Sequence, residues 1–217
     1  MGPLRLALDR PLDHPLCERI RSAGWVPIPY ACTEQVPSQE GPPQGRWDAV
    51  LILSPAGARA ILPFLKPGTL CLATGQGTAA LLSDFPVLTP TLPKAEGLWD
   101  LLCERFPQGG TFLLVRGGRS RGYLETQASG KPWQLKAWVS HREQPLSPPP
   151  PLPEASAVLA LSPLQAEVLA PLALDRQRFA WGQRTALAFA AAGAPATASC
   201  EPTPEALEAL LAAQVGS

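Results

Sequence analysis

The sequence predicts an α/β protein built from two similar lobes, each a parallel sheet covered by helices. Three observations predict it. The stretch from Asp48 to Ala80, DAVLILSPAGARAILPFLKPGTLCLATGQGTAA, is written a second time from Ser156 to Leu187, SAVLALSPLQAEVLAPLALDRQRFAWGQRTAL, with one deletion keeping the copies in register. Each copy alternates a short run rich in Val, Leu and Ile with a helical segment, the pattern of parallel α/β sheets. The 217 residues, 46% of them hydrophobic, suffice for two small domains, each with its own core.

Residues 4–10, LRLALDR, read as a strand ending in Arg10. A helix follows from about Pro15 to Ala23, and Gly24 stops it before a second strand from Trp25 to Tyr30. Residues 33–45 are polar and rich in Pro, Gly and Gln, the composition of a linker. In the first copy an apolar run ends at Ser54-Pro55, where the serine can cap a helix and the proline fits its first turn. A second run ends at Gly75, and Thr78 lies in the helix opening behind it. A short strand at Val87 to Thr89 follows, and Leu98, Leu101, Leu102 and Phe106 then fall at helical spacing.

Residues 111–124, TFLLVRGGRSRGYL, repeat the N-terminal strand and its turn, with Arg116 in the place of Arg10. Trp133 to Val139 repeats the second strand, and PLSPPPPLP at 145–153 repeats the linker as a stiff polyproline segment. The second copy places Ser162-Pro163, Gly182 and Thr185 where the first has Ser54-Pro55, Gly75 and Thr78. A strand from Ala196 to Cys200 and a helix from Thr203 to Gln214, capped by Thr203, close the chain. Each half thus carries five strands. Two pairings satisfy this order: each half folds on itself, or the N-terminal strand-helix-strand joins the last third while the middle forms its own domain. Either way two lobes, joined by two linkers, would face each other across a cleft.

Composition excludes several functions. Formal net charge is zero, which gives no whole-molecule attraction to nucleic acid or an anionic membrane. No apolar run is long enough to span a bilayer, and the N-terminus does not read as a secretory signal. The five cysteines are odd in number and scattered, and His14 and His141 are the only histidines, so neither a disulfide framework nor a metal site is expected. The expected setting is the cytoplasm, as a monomer. Ser54 and Ser162 lack the Gly-x-Ser-x-Gly elbow of a serine hydrolase. Their turns, with Gly75 and Gly182, instead offer anion-binding backbone at the carboxyl ends of strands. Arg116-Gly117-Gly118-Arg119-Ser120-Arg121 lacks the Walker and dinucleotide-binding spacings and suits carboxylates.

The order strand-Ser54-Pro55, Gly75-x-x-Thr78-Ala79, strand-Arg116-Gly117, strand-Ser162-Pro163, Gly182-x-x-Thr185-Ala186 and Pro202-Thr203-Pro204-Glu205-Ala206-Leu207 resembles the uroporphyrinogen-III synthases across nearly the whole chain. The resemblance implies two flavodoxin-like domains joined by a two-stranded linker. Residues 1–33 with 153–217 would form one domain, 46–141 the other, and 34–45 and 142–152 the linkers. It further implies cyclisation of the linear tetrapyrrole hydroxymethylbilane without metal or organic cofactor. Arg10, Ser54, Pro55, Gly75, Thr78, Arg116, Gly117, Arg121, Ser162, Pro163, Gly182 and Thr185 would then hold the substrate's acetate and propionate groups. The family usually has a tyrosine before the second linker, commonly followed by arginine. Here the only tyrosines are Tyr30 and Tyr123, and His141-Arg142 stands at that place as the candidate that helps the hydroxyl leave, though spacing from Gly130 would equally bring Trp138 or Val139 there. A tetrapyrrole binder without turnover, or an unrelated enzyme of another polycarboxylate, would fit the same two-lobed pattern.

Overall fold

A computed structural model describes residues 2–120 and 122–215. The chain divides into two compact units: the N-terminal stretch through Glu34 together with everything from Gln144 onward, and Gln35–Glu143 between them.

The first unit contains β1 (Arg5–Leu8), α1 (Pro15–Ser22), β2 (Val26–Pro29), β9 (Ala157–Ala160), α6 (Pro163–Leu172), β10 (Gln177–Ala180), α7 (Gln183–Ala191), β11 (Thr197–Ala198) and α8 (Pro204–Val215). Its sheet runs β11-β10-β9-β1-β2, parallel throughout. Strands this apolar are covered on both faces. Leu6, Leu8, Leu159 and Phe179 point to the side of α1 and α8, where they meet Cys17, Ile20, Leu207 and Leu211. Ala7, Val158, Ala160 and Ala180 point to α6 and α7, against Leu169 and Phe189. The alternation is that of a pleated strand, and the small residues on the second face let α6 and α7 approach closely.

The second unit contains β4 (Ala49–Ile52), α2 (Pro55–Ile61), β5 (Cys71–Ala73), α3 (Gln76–Ala79), β6 (Val87–Leu88), α4 (Ala95–Arg105), β7 (Gly110–Gly117) and α5 (Tyr123–Ala128), with most of β3 (Thr33–Pro37) and β8 (Trp133–Pro145). Its sheet runs β3-β8-β7-β4-β5-β6. Leaving β3 aside, β8-β7-β4-β5-β6 repeats the order β2-β1-β9-β10-β11, so the written repeat is also a repeat of sheet topology. The first follows the flavodoxin-like order 2-1-3-4-5, and the second has the same spatial arrangement with the chain entering it at β4 instead of β7.

Three expectations are corrected here. Residues 33–45 are not all linker, because Thr33–Pro37 forms β3 along β8 and gives this sheet a sixth strand. The Ser38 amide donates to the Ser140 carbonyl and that of Leu146 to Cys32, so partner numbers fall as residue numbers rise and the pair is antiparallel. A polar segment makes a strand because it lies at the sheet edge, where one side faces solvent. For the same reason β8 does not stop at Val139 but continues through His141 to Pro145. The first strand, conversely, ends at Leu8: the Arg10 amide turns back onto the Leu8 carbonyl at 2.9 Å, leaving Arg10 in the loop beyond.

Trp25 fastens α8 to the first sheet. Its indole is 2% exposed, donates Nε1–H to the Leu211 carbonyl at 3.0 Å and meets Phe179 edge-on at 5.6 Å. Trp25→Ala is expected to cost about 3–5 kcal/mol, read as a lower urea midpoint. None of the cysteines forms a disulfide; burial pushes the Cys71 thiol up to about 11, whereas Cys200 is exposed. An aromatic disulfide reagent should therefore modify Cys200 in the native protein and reach Cys71 only on unfolding.

Candidate active site

In a doubly wound sheet a crevice opens outside the carboxyl ends of the strands where the strand order reverses, because the loops on its two sides turn to opposite faces. The first unit reverses between β1 and β9, and the second between β7 and β4. Most of the residues singled out in the sequence sit in the loops and helix starts beyond strand ends, in two sets.

In the second unit Ser54 ends the loop after β4. Its Oγ accepts from the Gly57 amide at 3.1 Å and so caps α2, with Pro55 in the first turn. Gly75 starts α3 in an extended conformation and, with Gln76, Thr89 and Pro93, borders a cavity of about 380 Å³. Thr78 is buried within α3. Arg116 at the end of β7 is engaged: Nε donates to Glu125 Oε1 at 2.7 Å and Nη1 to the Gly117 carbonyl at 3.3 Å, with the side chain only 20% exposed. Arg121 lies outside the described residues.

His141 lies beside Gly117 across a β-bulge between β7 and β8. A Cβ on Gly117 would come within 2.9 Å of His141 Nε2, so the ring occupies space that only glycine leaves. On its other side Nδ1 is 2.9 Å from the hydroxyl of Ser140, which is 1% exposed and also reaches the Arg116 carbonyl at 3.4 Å. Burial lowers the His141 pKa below 6.5. At neutral pH the imidazole is therefore uncharged, and its one proton sits on Nε2 when the Ser140 hydroxyl donates to Nδ1, or on Nδ1 when that hydroxyl donates to the Arg116 carbonyl.

In the first unit Ser162 repeats the role of Ser54. Its Oγ accepts from the Gln165 amide at 3.2 Å and caps α6, with Pro163 behind it. Gly182 adopts φ +81°, which requires glycine, and its amide donates to Ser199 Oγ at 3.0 Å. Thr185 is 2% exposed and donates its hydroxyl to the Trp181 carbonyl at 3.2 Å. Arg10 donates Nη1 to the Asp9 carbonyl at 2.7 Å and makes no ion pair with a carboxylate of the described residues. It lines a cavity of about 410 Å³ at the ends of β1, β9 and β10.

That cavity contains residues which sequence reasoning did not assign. His14 caps α1, Nδ1 accepting from the Leu16 amide at 3.1 Å, and lines the cavity with Trp181 and Arg19. The available signal was His14-Pro15, which begins its helix as Ser54-Pro55 and Ser162-Pro163 begin theirs. A buried polar knot was missed as well. Gln165 accepts from the Leu161 amide at 2.9 Å and donates to Asp9 Oδ2 at 3.3 Å, and Thr33 donates to the same oxygen at 3.0 Å. It ties the loops after β1 and β9 together. Among the described residues no group of His, Cys, Asp and Glu could hold a metal ion, and no helix is long and apolar enough to cross a membrane.

Comparison with known proteins bears on this arrangement. A family model described as uroporphyrinogen-III synthase HemD matches residues 15–209, a span that takes in strands of both sheets. Among solved structures, the uroporphyrinogen-III synthetase of Helicobacter pylori 26695 is similar over 99% of this chain and 100% of its own, at 15% identity and a TM-score of 0.62. A mutant uroporphyrinogen III synthase from the extremely thermophilic bacterium Thermus thermophilus is similar over 99% and 100%, at 17% identity and a TM-score of 0.55. At these identities the likeness is one of fold. A comparison of the sequence with curated proteins finds no match.

Both histidines have lowered pKa values, His141 through burial, and His14 through burial first and the Arg10 charge second, against Asp13. Between the lowered values and 6.5 the unfolded chain binds more protons, so the stability these rings carry is complete above pH 6.5 and lost as pH falls through their folded values. His14→Gln and His141→Gln should each flatten the fall in melting temperature below about pH 6.5. An unchanged slope in both would sink the assignment.

Proposed function

The chain belongs to the uroporphyrinogen-III synthase family, and on that premise we propose that it cyclises hydroxymethylbilane to uroporphyrinogen III, inverting ring D and losing water, in tetrapyrrole (heme, siroheme, cobalamin) biosynthesis. The observation that carries this reading is the family match across residues 15–209.

The task is conformational. Pyrrole electrons expel the hydroxyl of the terminal hydroxymethyl group, which leaves as water once it gains a proton. Unguided, the resulting cation is captured by the free end of the last ring, giving isomer I. Isomer III requires the substituted carbon of that ring to attack first. The spiro intermediate then fragments and recloses with the ring inverted, and a proton is released as aromaticity returns. Holding a flexible reactant near such a geometry is worth roughly 7–11 kcal/mol in favourable cases. The reading draws on no metal or organic cofactor.

His141 is the group proposed to help the hydroxyl leave. Its neutral ring, seated over Gly117 and against Ser140, would offer an Nε2–H hydrogen bond, as a tyrosine hydroxyl would, in the tautomer in which Ser140 donates to Nδ1. Arg10 and Arg116 are proposed for the substrate's carboxylates, with Arg121 from outside the described residues. Arg116 would share itself with Glu125, its partner here. Ser54, Pro55, Ser162 and Pro163 would shape the loops, and Gly75, Thr78, Gly117, Gly182 and Thr185 would present backbone. Because the serine oxygens and the Thr185 hydroxyl are already bonded inward, amides and arginines carry more of the binding than hydroxyls. We further propose that residues 1–33 with 153–217 and residues 46–141 act as the two domains, with 34–45 and 142–152, which include parts of β3 and β8, connecting them. The protein would work as a cytoplasmic monomer without nucleic-acid partners, which its zero net charge and its cysteines without disulfides support.

The test is product analysis. Hydroxymethylbilane generated enzymatically, incubated with the protein, oxidised and chromatographed should yield mainly isomer III. His141→Ala should slow that product about a hundredfold, with His141→Tyr retaining most of the rate. Isomer I alone would refute the synthase reading, and full turnover by His141→Ala would remove that residue from the chemistry.

A further inference from the structure

The 410 Å³ cavity of the first unit lies at the reversal point of its sheet, where Arg10, Leu161 and Trp181 follow β1, β9 and β10. Its volume is near the small end of ligand pockets, which run from about 300 to 1,000 Å³, so it suits one small ring and not a four-ring chain. Its walls are mixed. Leu161, Trp181 and Leu16 supply apolar surface, while Arg10 and His14 supply donors.

The charges there are unequally committed. Arg19 is held by Glu205 at 3.2 Å and Glu208 at 2.9 Å. Arg10 has only the Asp9 carbonyl, so one positive charge remains without a counter-ion among the described residues. His14 uses Nδ1 as an acceptor from the Leu16 amide, which leaves the proton of a neutral ring on Nε2. One guanidinium and one imidazole N–H beside an apolar wall match a flat ring that carries a carboxylate.

We propose that this cavity seats a single carboxylated pyrrole ring, with Arg10 and His14 on one carboxylate and Trp181 and Leu161 against the ring. The inference rests on the tetrapyrrole reading for its ligand class and assigns one ring of the substrate to this place. It makes His14 and Trp181 specificity-determining residues.

The probe is a monopyrrole bearing one acetate and one propionate, titrated into the full-length protein and followed by ¹H–¹⁵N NMR. Saturable shifts are expected at the Trp181 indole N–H and at the amides of Leu16 and Leu161. Arg10→Ala, which gives up a hydrogen bond to the Asp9 carbonyl and the Arg10 charge beside His14, should weaken binding about tenfold, as should Trp181→Leu, and the dimethyl ester of the probe should not compete. Absence of saturable shifts up to the probe's solubility, shifts confined to Gly75–Pro93, or equal affinity for Arg10→Ala would overturn the proposal. The probe is not turned over, so the two readings separate. Binding here by a protein that yields only isomer I keeps this inference and removes the synthase reading, and isomer III without binding here does the reverse.

Discussion

Everything in the first unit depends on where β1 lies. Four residues long, it is hydrogen-bonded between β2 and β9, with Leu6 beside Ala157 and Leu8 beside Leu159. A parallel pair cannot be closed by a hairpin, so each neighbour must be reached by a crossover. On one side that crossover is α1. On the other it is the whole second unit, since the Arg5 amide and the Ser156 hydroxyl that meet at this edge are 151 residues apart in sequence. The burial that supports so long a closure is correspondingly complete, with Leu6, Ala7 and Leu8 at most 1% exposed. Loop-closure entropy grows only slowly with length, which is why such a connection is tolerable.

The same economy governs the strand ends. A serine before a helical proline satisfies an amide that would otherwise lack a partner, and Ser54 and Ser162 do this in the two units. Once they cap helices, their oxygens are turned inward, and what remains for a ligand is backbone, shape and a few charges. Glycine sets the shape at two points: Gly182 by its left-handed turn and Gly117 by yielding room to the His141 ring. The charges differ in freedom, Arg116 being held by a carboxylate and Arg10 not.

Much of this architecture was legible because it is written twice. The apolar runs before Ser54 and Ser162 are buried strands, and Thr203 caps the last helix at 3.3 Å as its Thr-Pro-Glu sequence implies. What could not be read depends on neighbours far along the chain. Thr33–Pro37 is polar and carries a proline, and becomes a strand only because β8 lies beside it. His14 resembles any surface histidine until α1 and α8 bring Arg19 and Glu205 around it. Arg116 has Glu125 nine residues on, but the intervening glycines hide whether the two meet. Periodicity registers burial and local caps, whereas a pair made across a turn or between crossovers leaves no mark on it.

The long crossover also orders events during synthesis. The middle unit, Gln35–Glu143, is contiguous and can assemble as soon as it leaves the ribosome. β1, α1 and β2 emerge before it yet have no sheet to join until Ala157–Ala160 follows. For that interval a strand made of Leu, Ala and Leu must be kept from other partners, by its short length and by the prolines at 27 and 29 that blunt its neighbour β2. A chain rearranged to begin near residue 144 and to join the present ends would place both units in uninterrupted sequence and remove the wait. A strand made before the middle unit thus reaches its final place only after that unit is complete.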